Sequence, residues 1–254
     1  MLTNAKIKQI RSLKQKKFRE KHDQYLIQGE KIVSDAIASG AIPVLIVAVP
    51  GLIEKHVEWA EKTSVEAASD KQLDQMSSLK NAPDVLAVMP MKSGKPDEER
   101  LAGELCIGLD CIQDPGNMGA ILRIADWFGI NDVLCSEDTA DVFNPKVVQA
   151  SMGALFRVRV HYVNLEESIR RLRSRGEYPV YGTFMDGESV YGINPVNRGM
   201  LLMGNEGKGI SPELTVHCSH KLAIPPFPRQ RNAMESLNIA VAAGIFCSEF
   251  RRNA

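Results

Sequence analysis

Between residues 105 and 225, short apolar runs alternate with longer segments of helical spacing. This alternation restricts the fold of the 254-residue chain more than any other feature. The runs are LCIGLD (105–110), DVLCS (132–136), VRVHYV (158–163), YPVYGTF (178–184), GMLLMG (199–204) and HKLAIP (220–225). Helical spacing fills the gaps: 118–129, ending at Gly129; 145–155, opening on a proline suited to a first helical position; and the basic segment 165–176. A closing helix is predicted from about Ser236 to Phe250. Strands separated by helices imply a mostly parallel sheet with helices on both faces. Ligands of such sheets bind beyond the carboxyl ends of the strands, which singles out the loops 111–119, 183–190, 204–211 and 225–236.

Ahead of this region lies a smaller unit. Residues 32–40 have helical spacing with Gly40 as a stop, and 43–50 and 85–89 are short apolar runs that read as buried strands. The polar stretch 90–100 contains Pro and Gly and has no apolar period. We therefore expect a small α/β domain over 1–95, a linker over 96–104 and a larger α/β domain over 105–254. No internal repeat is visible.

Lys+Arg and Asp+Glu both total 31, and that balance hides a basic amino-terminal end. Lys14, Lys16, Lys17 and Arg19 lie in a run of cations from Lys6 to Lys21 that meets few acids. Such an end reads as a footprint for a polyanion or as a solvated helix face. Five scattered cysteines form no CxxC pair and suggest buried thiols in a reducing compartment. The HCSH stretch (217–220) has metal-like spacing, but no second ligand cluster follows it, so no metal is expected. No segment reaches the roughly 18 apolar residues of a membrane span, and no signal-peptide pattern opens the sequence, so a cytoplasmic location is expected.

The loop LLMGNEGKGIS (201–211) has glycines at 204, 207 and 209, with a lysine inside. The phosphate-cradling pattern GxxxxGK[ST] fails on spacing, and the dinucleotide pattern GxGxxG fails on order. The loop therefore suits a ligand held by backbone groups against an adenine or a carboxylate, without a triphosphate. Glu206 would be repelled by phosphates and welcome beside a cation such as the sulfonium of S-adenosylmethionine. A plain surface turn with a solvated glutamate is the alternative.

Three segments in order resemble the SpoU/TrmH family of RNA 2′-O-ribose methyltransferases: DPGNMGAILRIADWFGI (114–130), LLMGNEGKGIS, and IPPFPRQRNAMESLNIAVAAGIF (224–246). NPKVVQASMGALFRVRV (144–160) is similar to the family's stretch between the first two motifs, and YLIQGEKIVSDAIASG (25–40) resembles its small RNA-binding α/β domain. The resemblance implies a SPOUT-like α/β domain with a carboxyl-terminal trefoil knot. It also implies S-adenosylmethionine as methyl donor, structured RNA (rRNA or tRNA) as substrate, and a homodimer with its active site near the subunit boundary.

Carried over residue by residue, Asn117, Arg123, Glu206, Ser236 and Asn238 match the family's catalytic positions. A guanidinium only donates hydrogen bonds, so Arg123 is expected to grip the phosphate beside the target ribose and stabilise the developing alkoxide; phosphate or solvent takes the proton. A helix-surface ion pair is its alternative role. Asn117 is expected to fix loop geometry or to cap a helix, and Glu206 to orient Arg123 or a backbone group. Ser236 either lines the site or caps the last helix. Gly204, Ile224 and Leu237 match donor-binding positions, with Thr183, Met203, Asn205 and Pro225 as neighbours; a bare glycine at 204 would let the donor approach closely. The helix with Arg170, Arg171, Arg173 and Arg175 is expected to add salt-sensitive RNA binding.

Two departures stand out. PPFPRQRNAME, with Arg229 and Arg231, replaces a shorter glycine-containing segment, and Ile124 stands where a threonine is common. A non-catalytic RNA-binding or ribosome-assembly factor, or a knotted methyltransferase acting on a base, are the competing readings.

Overall fold

The computed structural model describes residues 2–92, 94–227 and 236–252. The chain divides into two units, one of residues 1–92 with 141–156, the other of 93–140 with 157–254.

The first unit opens with α1 (Asn4–Ser12), capped by the Thr3 hydroxyl, and α2 (Lys16–His22). Then come β1 (Gln24–Gln28), α3 (Glu30–Ala38), β2 (Leu45–Ala48), α4 (Pro50–Lys55), α5 (Trp59–Lys62), β3 (Val65–Ala67), α6 (Asp70–Met76) and β4 (Val85–Pro90). The sheet order is β1-β4-β2-β3, with β4 antiparallel to both neighbours and β3 parallel to β2. Alternate strand residues face two cores. Leu26, Val47 and Leu86 pack with α1 and α6; Ile27, Ile46 and Ala87 pack with α3 and Trp59.

The second unit starts with α7 (Glu98–Gly103), which occupies most of the expected linker. Asp97 caps it by accepting from the Glu99 and Arg100 N–H groups, and Leu101 buries itself against the following core; one cap and one leucine suffice to order a polar stretch. β5 (Leu105–Leu109), α8 (Pro115–Trp127) and β6 (Asp132–Cys135) follow. The chain then supplies α9 (Pro145–Ser151) to the first unit, where Val148 joins the core under β1. The division expected from sequence, a single cut near residue 100, therefore misses this return segment. The second unit resumes with β7 (Arg159–Tyr162), α10 (Leu165–Arg173), β8 (Val180–Ser189), β9 (Gly199–Met203), α11 (Pro212–Thr215), β10 (His220–Ala223) and α12 (Ile239–Arg251).

All neighbouring strands of the second sheet are parallel, in the order β10-β8-β9-β5-β6-β7. The last-but-one strand in sequence, β9, lies between two strands that precede it. Cys106, Leu134, Met200 and Leu202 face α10, with Ile169 and Leu172 buried against them. At the start of β6, the buried Asp132 accepts from Arg100 on α7 and from Arg159 and His161 on β7. Burial alone would push its carboxyl up; hydrogen bonds from His161, Arg159 and Arg100 outweigh it and hold the group below the usual carboxylate range.

Candidate active site

The strand order reverses between β5 and β9. The chain leaves β5 toward β6 on one side and leaves β9 toward β10 on the other, which opens a crevice at their carboxyl ends. The two exits are tied together. The Asp110 carboxylate, nearly buried at the end of β5, accepts from the Ser211 N–H at 2.7 Å. The Asn205 side-chain amide donates to the Cys111 carbonyl at 2.9 Å.

The 204–211 loop is a tight structure of its own. Asn205 and Gly209 exchange main-chain hydrogen bonds at 3.0 and 2.8 Å, and the Asn205 Oδ1 accepts from the Gly207 and Lys208 N–H groups. Glu206 is thereby carried at the exposed tip. A Cβ on Gly204 would stand 2.2 Å from the main-chain atoms of Gly209 and Ile210. The bare backbone at 204 thus admits the loop's own returning chain, a different reason from the close approach of a ligand expected from sequence.

Asp114 caps α8 by accepting from the Asn117 N–H at 2.8 Å, so the cap belongs to Asp114 and leaves the Asn117 side chain for other work. That side chain donates to Glu206 at 2.8 Å and accepts from the Asn238 Nδ2 at 2.9 Å. Asn238 in turn caps α12, accepting from the Ala240 and Val241 N–H groups. The closing helix therefore starts at Ile239, and Ser236 is exposed ahead of the cap. Three residues from three separate motifs form one hydrogen-bonded relay, Asn238 to Asn117 to Glu206.

Arg123 stands outside this relay. It is exposed on α8, and six residues on from Asn117 it points to a different side of the helix. Glu206, expected to orient Arg123 or a backbone group, accepts here from Asn117. Among the described residues Arg123 has no ion-pair partner, so the alternative of a surface salt bridge has no support here.

The positions expected to hold a donor fall on three adjacent strands, Thr183 inside β8 where its pairing with β9 stops and the others just past the ends of β9 and β10. Thr183 follows Gly182, the last residue of β8 paired with β9; Gly204 follows β9; Ile224 follows β10. Thr183, Ile224 and Pro225 are half-buried, and Leu237 is exposed. Two of the expected set do other work. The Met203 side chain is buried in the sheet while its carbonyl accepts from the Asp110 N–H, and both ends of the Asn205 amide are engaged within the loops.

Sequence reasoning did not single out Cys111, Ser136 or Asp138, which pack beside this crevice. The Cys111 N–H donates to the Ser136 Oγ at 2.8 Å, and that hydroxyl donates to Asp138 at 2.5 Å. A hydrogen bond to the Asp138 carboxylate raises the Cys111 thiol to about 11, and the carboxylate is correspondingly lowered. The one available signal was a run of polar residues directly after two apolar strands.

The basic positions are sorted by the structure. Lys16 and Lys17 are exposed, Lys16 at 3.8 Å from Glu20 and Lys17 over the Phe18 ring. Lys14 is partly buried, and burial, then the nearby Arg11, lowers its pKa. Arg19 corrects the sequence expectation of an RNA contact. It is buried, donates to the Leu13 and Lys14 carbonyls and pairs with Asp141 at 2.5 Å. Its work is to hold the turn that carries Lys14, Lys16 and Lys17.

The arginines on and just after α10 also find partners, while Arg170, Arg171 and Arg175 stay exposed. Arg170 pairs with Glu166, Arg171 and Arg175 with Glu98, and Arg173 donates to the His217 carbonyl. In HCSH, His217 faces Glu166 while His220 stacks on Tyr181, so the two rings serve different neighbours. Arg229 and Arg231 lie outside the described residues.

Comparison with known proteins places this geometry. The profile of the SpoU rRNA Methylase family matches residues 104–248, and that of the MRM3-like substrate binding domain matches residues 4–87. Among relatives, the chain is 30% identical over 250 residues to the 23S rRNA (guanosine(2553)-2'-O)-methyltransferase RlmP of Bacillus subtilis, covering 98% of this chain and 96% of that one. A solved structure of a putative RNA methyltransferase of the TrmH family from Porphyromonas gingivalis superimposes with a TM-score of 0.87 at 35% identity, over 100% of both chains. An AdoMet-bound rRNA methyltransferase from Sinorhizobium meliloti gives 0.86 at 29% identity, over 99% of this chain and 96% of that one.

Proposed function

The chain belongs to the SpoU rRNA methylase family, and on that footing we propose how its residues divide the work of the reaction. It is an S-adenosylmethionine-dependent RNA methyltransferase acting on a ribose 2′-hydroxyl. The donor brings an already activated methyl group, so the protein's task is alignment, a contribution that can reach roughly 7–11 kcal/mol.

In our reading the donor lies against Thr183 in β8 and the residues just past β9 and β10, Gly204 and Ile224, with Pro225 and Leu237 along its apolar side. The observation that carries the site is the relay Asn238–Asn117–Glu206, which fixes a carboxylate and two amides at the mouth of the crevice. Arg123 and Ser236 remain free to meet the RNA. Arg123 holds the phosphate next to the target ribose and stabilises the alkoxide as it forms. The proton passes to phosphate or solvent.

The first unit binds the RNA through its exposed cations, Lys16 and Lys17 among them, a role supported by the substrate-binding profile over residues 4–87. The protein works as a homodimer. Trp127 is 83% exposed and Val241 53%, and the Gly244 position lies against Ile124, so α8 and α12 share one apolar outer face beside Arg123. A second copy covering that face would bring Arg123 to a site at the subunit boundary. The carboxyl-terminal chain forms a trefoil knot, a reading supported by the return of α12 from beyond the sheet edge at β10 to pack on α8, on the far side of β9.

Incubating the full chain with S-adenosylmethionine and unmodified rRNA and tRNA transcripts, followed by nucleoside mass spectrometry, tests the function. A 2′-O-methylnucleoside is the expected product. A base-methylated nucleoside, or no product with no donor binding by calorimetry, overturns the reading.

A further inference from the structure

Among the described residues, three non-glycine residues adopt left-handed backbone: Asp23, Cys111 and Met152. Asp23 and Met152 end helices, where that conformation is common. Cys111, at φ 58°, follows β5 by two residues and ends no helix. A side chain there costs energy that the surroundings must supply, and they do so from two sides. The Ser136 hydroxyl at the exit of β6 accepts the Cys111 N–H, and the Asn205 amide at the exit of β9 donates to the Cys111 carbonyl. The very next peptide is also held, with the Ile112 carbonyl accepting from the Ala140 N–H at 2.7 Å.

The turn at Cys111 sets the direction in which the chain leaves β5 for the Asp114 cap of α8. Asn117 rides on that helix, while Glu206 rides on the loop that contains Asn205. We infer that Asn205 and Ser136 are positioning residues: by pinning both sides of the left-handed Cys111 peptide, they bring Asn117 to Glu206. Asn205 thus acts through the turn and makes no side-chain contact with the donor. The inference rests on the methyltransfer reading for its kinetic readout only.

The test uses glycine, which adopts the left-handed region without a side-chain penalty. Asn205→Asp keeps an acceptor for the Gly207 and Lys208 N–H groups but removes the donor to Cys111. Ser136→Ala removes the other anchor. Each is assayed alone and combined with Cys111→Gly, in the full chain, on rRNA and tRNA transcripts, with kcat, the KM for S-adenosylmethionine and the thermal midpoint measured.

Each single variant is expected to lower kcat about tenfold, the scale of a lost alignment, with donor KM within about twofold of wild type. Cys111→Gly should restore kcat to within about threefold in both backgrounds and raise both melting midpoints. The inference is overturned if Cys111→Gly rescues neither variant, or if the loss in Asn205→Asp lies in donor KM. Should wild type methylate no RNA, the functional reading fails by itself. The melting midpoints then decide the turn: no rise on adding Cys111→Gly ends the inference.

Discussion

Asn117 donates to Glu206 across 2.8 Å, a bond between residues 89 positions apart in sequence. With its carbonyl oxygen taken by Asn238, the amide can present its nitrogen to Glu206 in one orientation only. Asn117→Asp replaces the donor with a carboxylate facing a carboxylate. Its kcat should fall about a hundredfold, whereas Glu206→Gln, which can still accept from Asn117, should lose about tenfold. Single-turnover methylation rates check the ranking; equal losses would remove the relay from the mechanism.

Arg123 separates activity from stability. It is exposed and forms no ion pair among the described residues, so Arg123→Ala should change unfolding free energy by less than about 0.5 kcal/mol. Methylation should nevertheless drop by about a hundredfold or more, the scale of a lost charge-stabilising donor. Urea denaturation beside the activity assay measures both, and an active Arg123→Ala protein refutes the assignment.

Gly204 behaves in the opposite way. A methyl group at that position meets main-chain atoms at 2.2 Å, and backbone cannot yield as a flexible side chain does. Gly204→Ala should destabilise the protein by about 3 kcal/mol, visible as a lowered melting midpoint before any donor is added. A normal midpoint would mean that the loop opens easily.

The α8–α12 face predicts the assembly state. Trp127→Glu combined with Val241→Glu places charge on the exposed apolar surface and should convert a dimer to monomers by light scattering. Wild type that is already monomeric at micromolar concentration contradicts the proposed dimer.

In the first unit, His56 stacks on Trp59 at 4.3 Å while its ring nitrogens meet Glu30 and Glu58 at 2.8 and 2.9 Å. The hydrogen bond to Glu30, then that to Glu58, raises its pKa above the ordinary 6.5. A raised histidine contributes stability that is complete below pH 6.5 and is lost as pH climbs through the folded-state value. Wild type should therefore lose melting temperature relative to His56→Gln as pH rises above 6.5. The lowered Glu30 and Glu58 act in the other direction, and their share disappears only as pH falls below their ordinary 4.5. Parallel pH profiles for the two proteins would show that the cluster contributes nothing.

The parallel sheet was legible because its central strands β9, β5 and β6 are buried along their whole length and read as apolar runs, as in 199–203. The motif residues Asn117, Glu206 and Asn238 were legible as a set through the family resemblance, but their mutual bonds were not, because they span 89 and 121 positions. Arg19 was misread for a physical reason. Its fate depends on Asp141, 122 positions away, and on two carbonyls that exist only once α1 has ended. The ion pairs of Arg171 and Arg175 were not legible because Glu98 lies on a helix that the polar composition of 90–100 concealed.

The place of β9 between β8 and β5 imposes an order of assembly. When synthesis has reached residue 198, β5 and β8 both exist, and each has an edge waiting for a partner not yet made. They must stay apart until Gly199–Met203 emerges, since pairing with each other would close the gap. The nascent chain thus passes through a stage with three unpaired hydrogen-bonding edges, one on β5 and both on β8, when misfolding and aggregation threaten it most. A stop codon shortly before position 199 should yield an insoluble fragment, and refolding of the whole protein from denaturant should be slow for its size.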